Sequence, residues 1–212
     1  MKPNQLASQI EGLVISANGK YEAVIRRVEN QLYNDLVLVL KKIEVDQDGF
    51  ILQTSANRKI LTEAQLQFDQ TISESAYKTS LEKYLKTVPG IDALNSAYFE
   101  SVSSAFTPNK IFIKSLQKQT IESVNTMLLN DGFVSQVQTP LVQILNQNVN
   151  SGGSFNGMLK QVRDYVKGND QIDGRLMSYS RNILRDTLFN YSRAYQQSVV
   201  ADLKLEWYLY SG

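Results

Sequence analysis

Apolar residues recur at helical intervals almost from the start of the chain. Leu6, Ile10, Leu13, Tyr21, Ile25, Val28, Leu32, Leu36, Leu40 and Ile43 follow one another at steps of three or four, with a single step of eight. That spacing keeps one face of a 3.6-residue helix apolar, so the pattern predicts helix over roughly residues 5–43. Its weak point is Ser16-Ala17-Asn18-Gly19: either the helix runs through, or two helices meet at Asn18-Gly19. A continuous helix of this length spans roughly 55–60 Å at 1.5 Å per residue. This is longer than a compact domain of this size, so part of the stripe is expected to be covered by another molecule.

The same reading carries on along the chain. Asp48-Gly49 supplies a turn between Val45 and Phe50-Ile51-Leu52, which predicts a short hairpin over 45–52. Ile60, Ala64, Phe68, Ile72, Ala76, Tyr77, Leu81, Tyr84 and Leu85 predict a helix over about 57–86, stopped at Val88-Pro89-Gly90. Asp92 is then expected to cap a shorter helix reaching about Phe106. Thr107-Pro108 reads as a cap followed by a first-turn proline, opening a helix to about Leu129. A helix over about 133–148 carries Pro140 near its middle, where a kink or a restart at Thr139-Pro140 is expected. Ser154 caps a helix through Lys167, and a last long helix covers about 175–203. Leu205-Glu206-Trp207-Tyr208-Leu209-Tyr210 is rich in strand formers and predicts a C-terminal strand without a hairpin partner, as though a longer natural chain continued past Gly212. The predicted fold class is mainly α, an elongated assembly of long helices with a short β-turn or hairpin near 45–52 and that C-terminal strand. Two regions follow: 1–106, dominated by the long N-terminal helices, and 107–212.

Composition narrows the chemistry. Among 212 residues there is no His and no Cys, which excludes disulfide scaffolds, Cys/His zinc sites, thiol nucleophiles and Ser-His-Asp triads. The longest apolar run, Leu36 to Leu40, falls far short of the roughly 18 residues of a membrane span. The start, Met1-Lys2-Pro3-Asn4-Gln5, lacks the layout of a secretory signal. Acidic residues are scattered, with no paired spacing on an apolar face of the kind a di-metal bundle needs. No catalytic, metal or cofactor residues are assigned, and the chain is expected not to be an enzyme.

Three features resemble ligand sites, and each has a plainer reading. Asp46 and Asp48 before Gly49 look like the opening of a calcium loop. The D-x-D-x-D-G spacing is not met, however, and Asn57 stands where the twelfth-position Glu belongs, which leaves a turn. Ser151-Gly152-Gly153-Ser154 precedes a helix but lacks the lysine of a phosphate-binding loop, which leaves a linker. Lys110, Lys114 and Lys118 form one helical row, and Lys160, Arg163 and Lys167 form another. Residues 107–212 hold 11 basic and 8 acidic side chains, a local +3, against 11 and 13 in residues 1–106. The rows are candidate non-specific phosphate contacts to double-stranded DNA or, more plainly, solvated faces. With 18 Gln, 16 Asn and 20 Ser, about a quarter of the chain is uncharged and polar. Together with 11 Tyr, this suits surfaces that meet protein partners.

The end of the chain adds a resemblance. Gly174-Arg175-Leu176-Met177-Ser178-Tyr179 leads into Arg185-Asp186-Thr187-Leu188-Phe189-Asn190-Tyr191-Ser192-Arg193-Ala194-Tyr195. Ala201-Asp202-Leu203-Lys204-Leu205, Trp207-Tyr208-Leu209-Tyr210 and Ser211-Gly212 follow. This region resembles the C-terminal part of tailed-phage minor head proteins of the Mu F-like head morphogenesis family, in which a polar-aromatic helix feeds a W/Y-x-Y-x-G strand. The break at Val149–Ser154 is similar to the glycine-serine break of that family. The turn from Asp46 to Asn57 resembles an N-terminal feature of some members. The resemblance implies a virion component inside the head near the portal, assisting capsid assembly and in some members leaving with the DNA. It implies portal or capsid proteins as partners, several copies, the host cytoplasm during assembly, and no catalytic residues. The candidate partner interface comprises Leu32, Leu36, Tyr191, Tyr195, Trp207 and Tyr210. A helical DNA-binding module and a helical membrane-active protein are the alternatives, although the low Lys/Arg bias of the polar faces speaks against the second.

Overall fold

Why the long N-terminal stripe folds as one helix is visible at its weak point. Val14, Ala17 and Tyr21 are all buried, so the apolar face stays in step through Asn18-Gly19 while Gly19 faces outward. The penalty of roughly 1 kcal/mol for a helical glycine is offset by burial on either side of it. The computed structural model describes residues 3–204, with side chains from Gln5 onward. Its elements are α1 (Pro3–Leu40), α2 (Ser55–Glu74), α3 (Tyr77–Leu85), α4 (Val88–Val102), α5 (Lys110–Leu129), the single turn α6 (Asp131–Phe133), a π-helical turn (Val134–Gln138), α7 (Thr139–Ser151), α8 (Phe155–Lys167) and α9 (Arg175–Asp202). The chain is mainly helical, at 81%.

Several expected boundaries move, each for a local reason. The hairpin at 45–52 does not form strands. Val45 and Ile51 make an isolated antiparallel bridge, and Ile51 N–H turns instead to the Gly153 carbonyl at 3.0 Å. The buried Asn57 side chain ties this segment together, donating to the Glu44 and Leu52 carbonyls and accepting from Glu44 N–H. Asp46 Oδ1 accepts from the N–H groups of Asp48 and Phe50, so that carboxylate organises a turn. The expected strand at 205–210, with Trp207 and Tyr210, lies outside the described residues. The predicted helix over 57–86 is two, because Ser75 is extended and its hydroxyl accepts from Tyr77 N–H to start α3. Helix α3 stops at Leu85, close to the expected end at about 86, but Val88-Pro89 also opens α4, where a first-turn proline lacks only an N–H that would be unpaired anyway. Asp92 therefore sits inside α4 rather than capping it, and α4 ends at Val102. Helix α5 begins at Lys110, with Asn109 Oδ1 accepting from Phe112 N–H in place of a cap at Thr107. Helix α7 restarts at Thr139-Pro140, as expected, with the proline in its first turn, and it is preceded by the π-helical turn, which the sequence reading did not foresee. Pro140 cannot donate to the Gln136 carbonyl, and Arg175 Nε takes that acceptor at 2.8 Å while Tyr165 Oη donates to the Val137 carbonyl at 2.9 Å.

Contacts divide the chain into two compact units, each drawing on both 1–106 and 107–212. The first takes in residues 1–21, 81–125 and 182–212. Its core includes Leu6, Ile10, Val14, Tyr21, Tyr84, Ile91, Phe99, Leu188, Tyr191 and Tyr195. Tyr21 and Tyr84 meet edge to face at 6.0 Å between centroids, and Tyr84 Oη donates to the Leu184 carbonyl. The second unit takes in residues 22–80 and 126–181, with α7 packed on α2 and α8. Ile25, Val28, Leu32, Leu36 and Leu40 line its core, together with Phe68, Tyr77 and Phe133, whose rings touch. Gly132 is held there by space: a Cβ would lie 2.5 Å from the Met127 carbonyl oxygen and 2.6 Å from Tyr179 Oη.

Candidate functional site

Without His or Cys, reactive chemistry would fall to buried carboxyls and phenols. The first unit gathers several along one seam. Asp92, Asn95 and Ser96 occupy successive positions on one face of α4, opposite Tyr191, Ser192, Tyr195 and Gln196 on α9. Tyr191 Oη and Gln117 Nε2 both donate to the Asp92 carboxylate. Asn95 Nδ2 donates to Ser192 Oγ at 3.1 Å, Gln196 Nε2 donates to Asn95 Oδ1 at 3.0 Å, and Ser96 and Tyr195 hydroxyls pair at 2.7 Å. Asp92, Asn95, Ser192, Tyr191 and Tyr195 are all buried. Burial raises the Asp92 carboxyl above its ordinary range, an effect its two donors oppose. Burial, reinforced by the neighbouring Asp92, also holds the Tyr191 phenol far up its scale. A carboxylate held by two neutral donors, with amides and hydroxyls closing on one another, fixes the register of α4 against α9. The one hydroxyl that donates directly to this carboxylate, that of Tyr191, is held protonated by its burial. A cleft of about 200 Å³ opens beside it, lined by Ala7, Ile10, Glu11, Phe189, Ser192 and Gln196, among others.

In the second unit a charged cluster surrounds the start of α9. Arg181 reaches Glu22 at 3.0 Å and also Asp173, while Arg26 lies 3.4 Å from Asp173. Glu29, only 4% exposed, accepts from Met177 N–H at 2.8 Å. Desolvation lifts its carboxyl to about 7, against a smaller opposing effect of that hydrogen bond. Among the described residues no group of three or more acidic, His or Cys side chains is placed to hold a metal ion.

Of the six sequence-derived interface residues, the four that are described are buried. Leu32 and Leu36 are buried in the second unit, and Tyr191 and Tyr195 in the first, at 2% exposure or less. The chain itself covers the stripe that was expected to need a neighbouring molecule. Trp207 and Tyr210 lie outside the described residues. Lys110, Lys114 and Lys118 are all exposed along α5 in the first unit, and Lys118 pairs with Glu122 at 3.7 Å. Lys160, Arg163 and Lys167 are exposed along α8 in the second, with Lys167 over the Tyr33 ring at 5.4 Å. Sequence reading missed Glu29, Asn95 and Asn57 as organising groups, and misread Asp92. Their partners are too distant along the chain to leave a local signal, except for Asn57, whose place after the Asp46 turn was noted but not its role. No helix among the described residues is long and apolar enough to cross a membrane.

Compared with known proteins, the chain matches no family model, no curated protein and no solved structure.

Proposed function

We propose that the chain is a structural and assembly component of a tailed-phage head, acting inside the capsid near the portal in several copies and without a catalytic centre. The observation that carries this reading is the run from Gly174 to Tyr195 followed by Trp207-Tyr208-Leu209-Tyr210-Ser211-Gly212, which resembles the C-terminal region of minor head proteins. Its helical portion is the 28-residue α9, whose tyrosines are used for packing within the chain. The predominance of helix and the use of buried polar groups for packing are in keeping with a scaffold role. Since Leu32, Leu36, Tyr191 and Tyr195 are taken up by the fold, partner contacts fall to other, exposed residues. The test is sedimentation of the purified chain with the portal ring of the same phage at physiological salt. Comigration of several copies per ring supports the proposal, and a chain left wholly in the slow fraction with both portal and capsid protein overturns it.

A second reading, non-specific contact with duplex DNA, is favoured by one observation: all six cations of the two rows are exposed. It requires a duplex affinity that falls steeply with salt, and that weakens when Lys110, Lys114 and Lys118 are changed to Gln. A salt-independent affinity, or none, excludes it.

A further inference from the structure

Where α9 ends, the first unit holds a pocket of about 170 Å³ whose apolar walls are Phe106, Phe112, Ile113, Val199 and Leu203. Its base is set in the core of that unit. Phe99, Tyr195 and Val199 are buried together, and the Phe99 and Phe106 rings lie 5.6 Å apart.

The way α9 stops aims the chain at this pocket. Lys204 N–H donates to the Ala201 carbonyl at 3.2 Å, and Lys204 has a φ of +51°, the only positive value among the described residues other than glycines. A left-handed residue carrying that bond is the Schellman ending of a helix, which turns the chain back on itself. In that ending the residue after the left-handed one packs on an apolar side chain of the last helical turn. Here the following residue is Leu205, and the matching positions on α9 are Val199 and Val200. Val199 is a wall of the pocket, and Val200 packs beside it on the same cluster.

Residues 205–212 follow in the sequence and lie outside the described residues. Of the six from Leu205 to Tyr210, five are leucine or aromatic. In an extended run Leu205, Trp207 and Leu209 would share one face, and the charged Glu206 would fall on the other with Tyr208 and Tyr210. The three residues from Lys204 to Trp207 reach at most about 10 Å. That is enough, because the pocket begins at Leu203.

We propose that this pocket is the seat of the chain's own segment Leu205–Tyr210, with Leu205 on Val199 and Val200 and the Trp207 indole between α9 and the start of α5. Seated there, the segment ties the end of α9 to the α4–α5 connection. The proposal goes beyond the assembly role and does not depend on it, and it assigns Trp207 to the chain's own packing rather than to a partner.

The test uses the full chain, in which Trp207 is the sole tryptophan, so that its fluorescence reports on this residue alone. A seated Trp207 predicts emission to the blue of free tryptophan, acrylamide quenching at least about threefold slower than for N-acetyltryptophanamide, and NOEs from the indole to the Ile113 and Val199 methyls. Ile113→Asp puts a charge in the wall, and Ser198→Phe fills the pocket from α9. Each should raise quenching toward the free value while circular dichroism keeps its helical band. A freely quenched Trp207 in the unaltered chain, a protected Trp207 without those NOEs, or protection that survives both substitutions overturns the proposal. Protection lost on roughly hundredfold dilution assigns the pocket to the tail of a second copy, and overturns it too. Should either variant fail to fold, the NOEs of the unaltered chain decide alone.

Discussion

Leu36 and Leu38 stand two residues apart on α1 and give the sharpest test of how the N-terminal stripe is covered. Leu36 is 0% exposed and Leu38 66% exposed. Replacing Leu36 by Ala removes a buried methine and two methyl carbons and leaves a cavity in the core of the second unit. Such changes cost about 2–5 kcal/mol. Taking about 3 kcal/mol, the ratio of folded to unfolded chain falls about 150-fold, since 1.36 kcal/mol is a factor of ten. At a urea slope of roughly 2 kcal/mol/M the midpoint drops by about 1.5 M. Leu38→Ala touches little and should move stability by less than about 0.5 kcal/mol. Urea titration followed by circular dichroism at the helical band measures both variants against the unaltered chain. Equal, small effects at the two positions would refute the reasoning, because the stripe would then not be buried by the chain's own fold. A Leu36→Ala variant that keeps its stability but loses self-association would restore the idea of a neighbouring subunit as the cover.

Two further outcomes follow from the same packing. Gly132→Ala places a methyl against the Met127 carbonyl and Tyr179 Oη and should cost at least about 2 kcal/mol, read as a lowered thermal midpoint; an unchanged midpoint would contradict the close approach. Tyr191→Phe removes a donor from the buried Asp92 carboxylate and should cost about 1.5–3 kcal/mol at pH 7. The Asp92 carboxyl is already held above its ordinary value. The stability due to its neutral form is therefore complete in acid and lost as pH rises through the folded value, and Tyr191→Phe should be less destabilising near pH 3 than at pH 7, by urea titration at each.

What the residues disclosed in advance follows the range of the interactions. The stripe of α1, the Ser154 cap of α8 and the end of α8 at Gly168 rest on neighbours within a turn or two, and periodicity and capping chemistry found them. Val88-Pro89 shows the limit of local reading, since proline is equally at home just beyond one helix and in the first turn of the next. Asp92 looked like a cap because carboxylates favour that position. Its actual donors, Tyr191 and Gln117, lie 99 and 25 residues away. Likewise the apolar stripe through Leu32 and Leu36 was legible while its cover was not, because the covering residues are remote in sequence. Glu29 reads as one more polar position on α1 until Met177 is brought beside it.

The proposal that the chain is a phage head component is tested most directly by quantitative mass spectrometry of phage particles purified from the cells that express it, comparing DNA-filled heads with empty precursors and washed tails. The account predicts the chain in the heads at several copies per portal ring and its absence from the tails. Its absence from both precursors and filled heads, with the chain recovered only from the infected-cell supernatant, would contradict it.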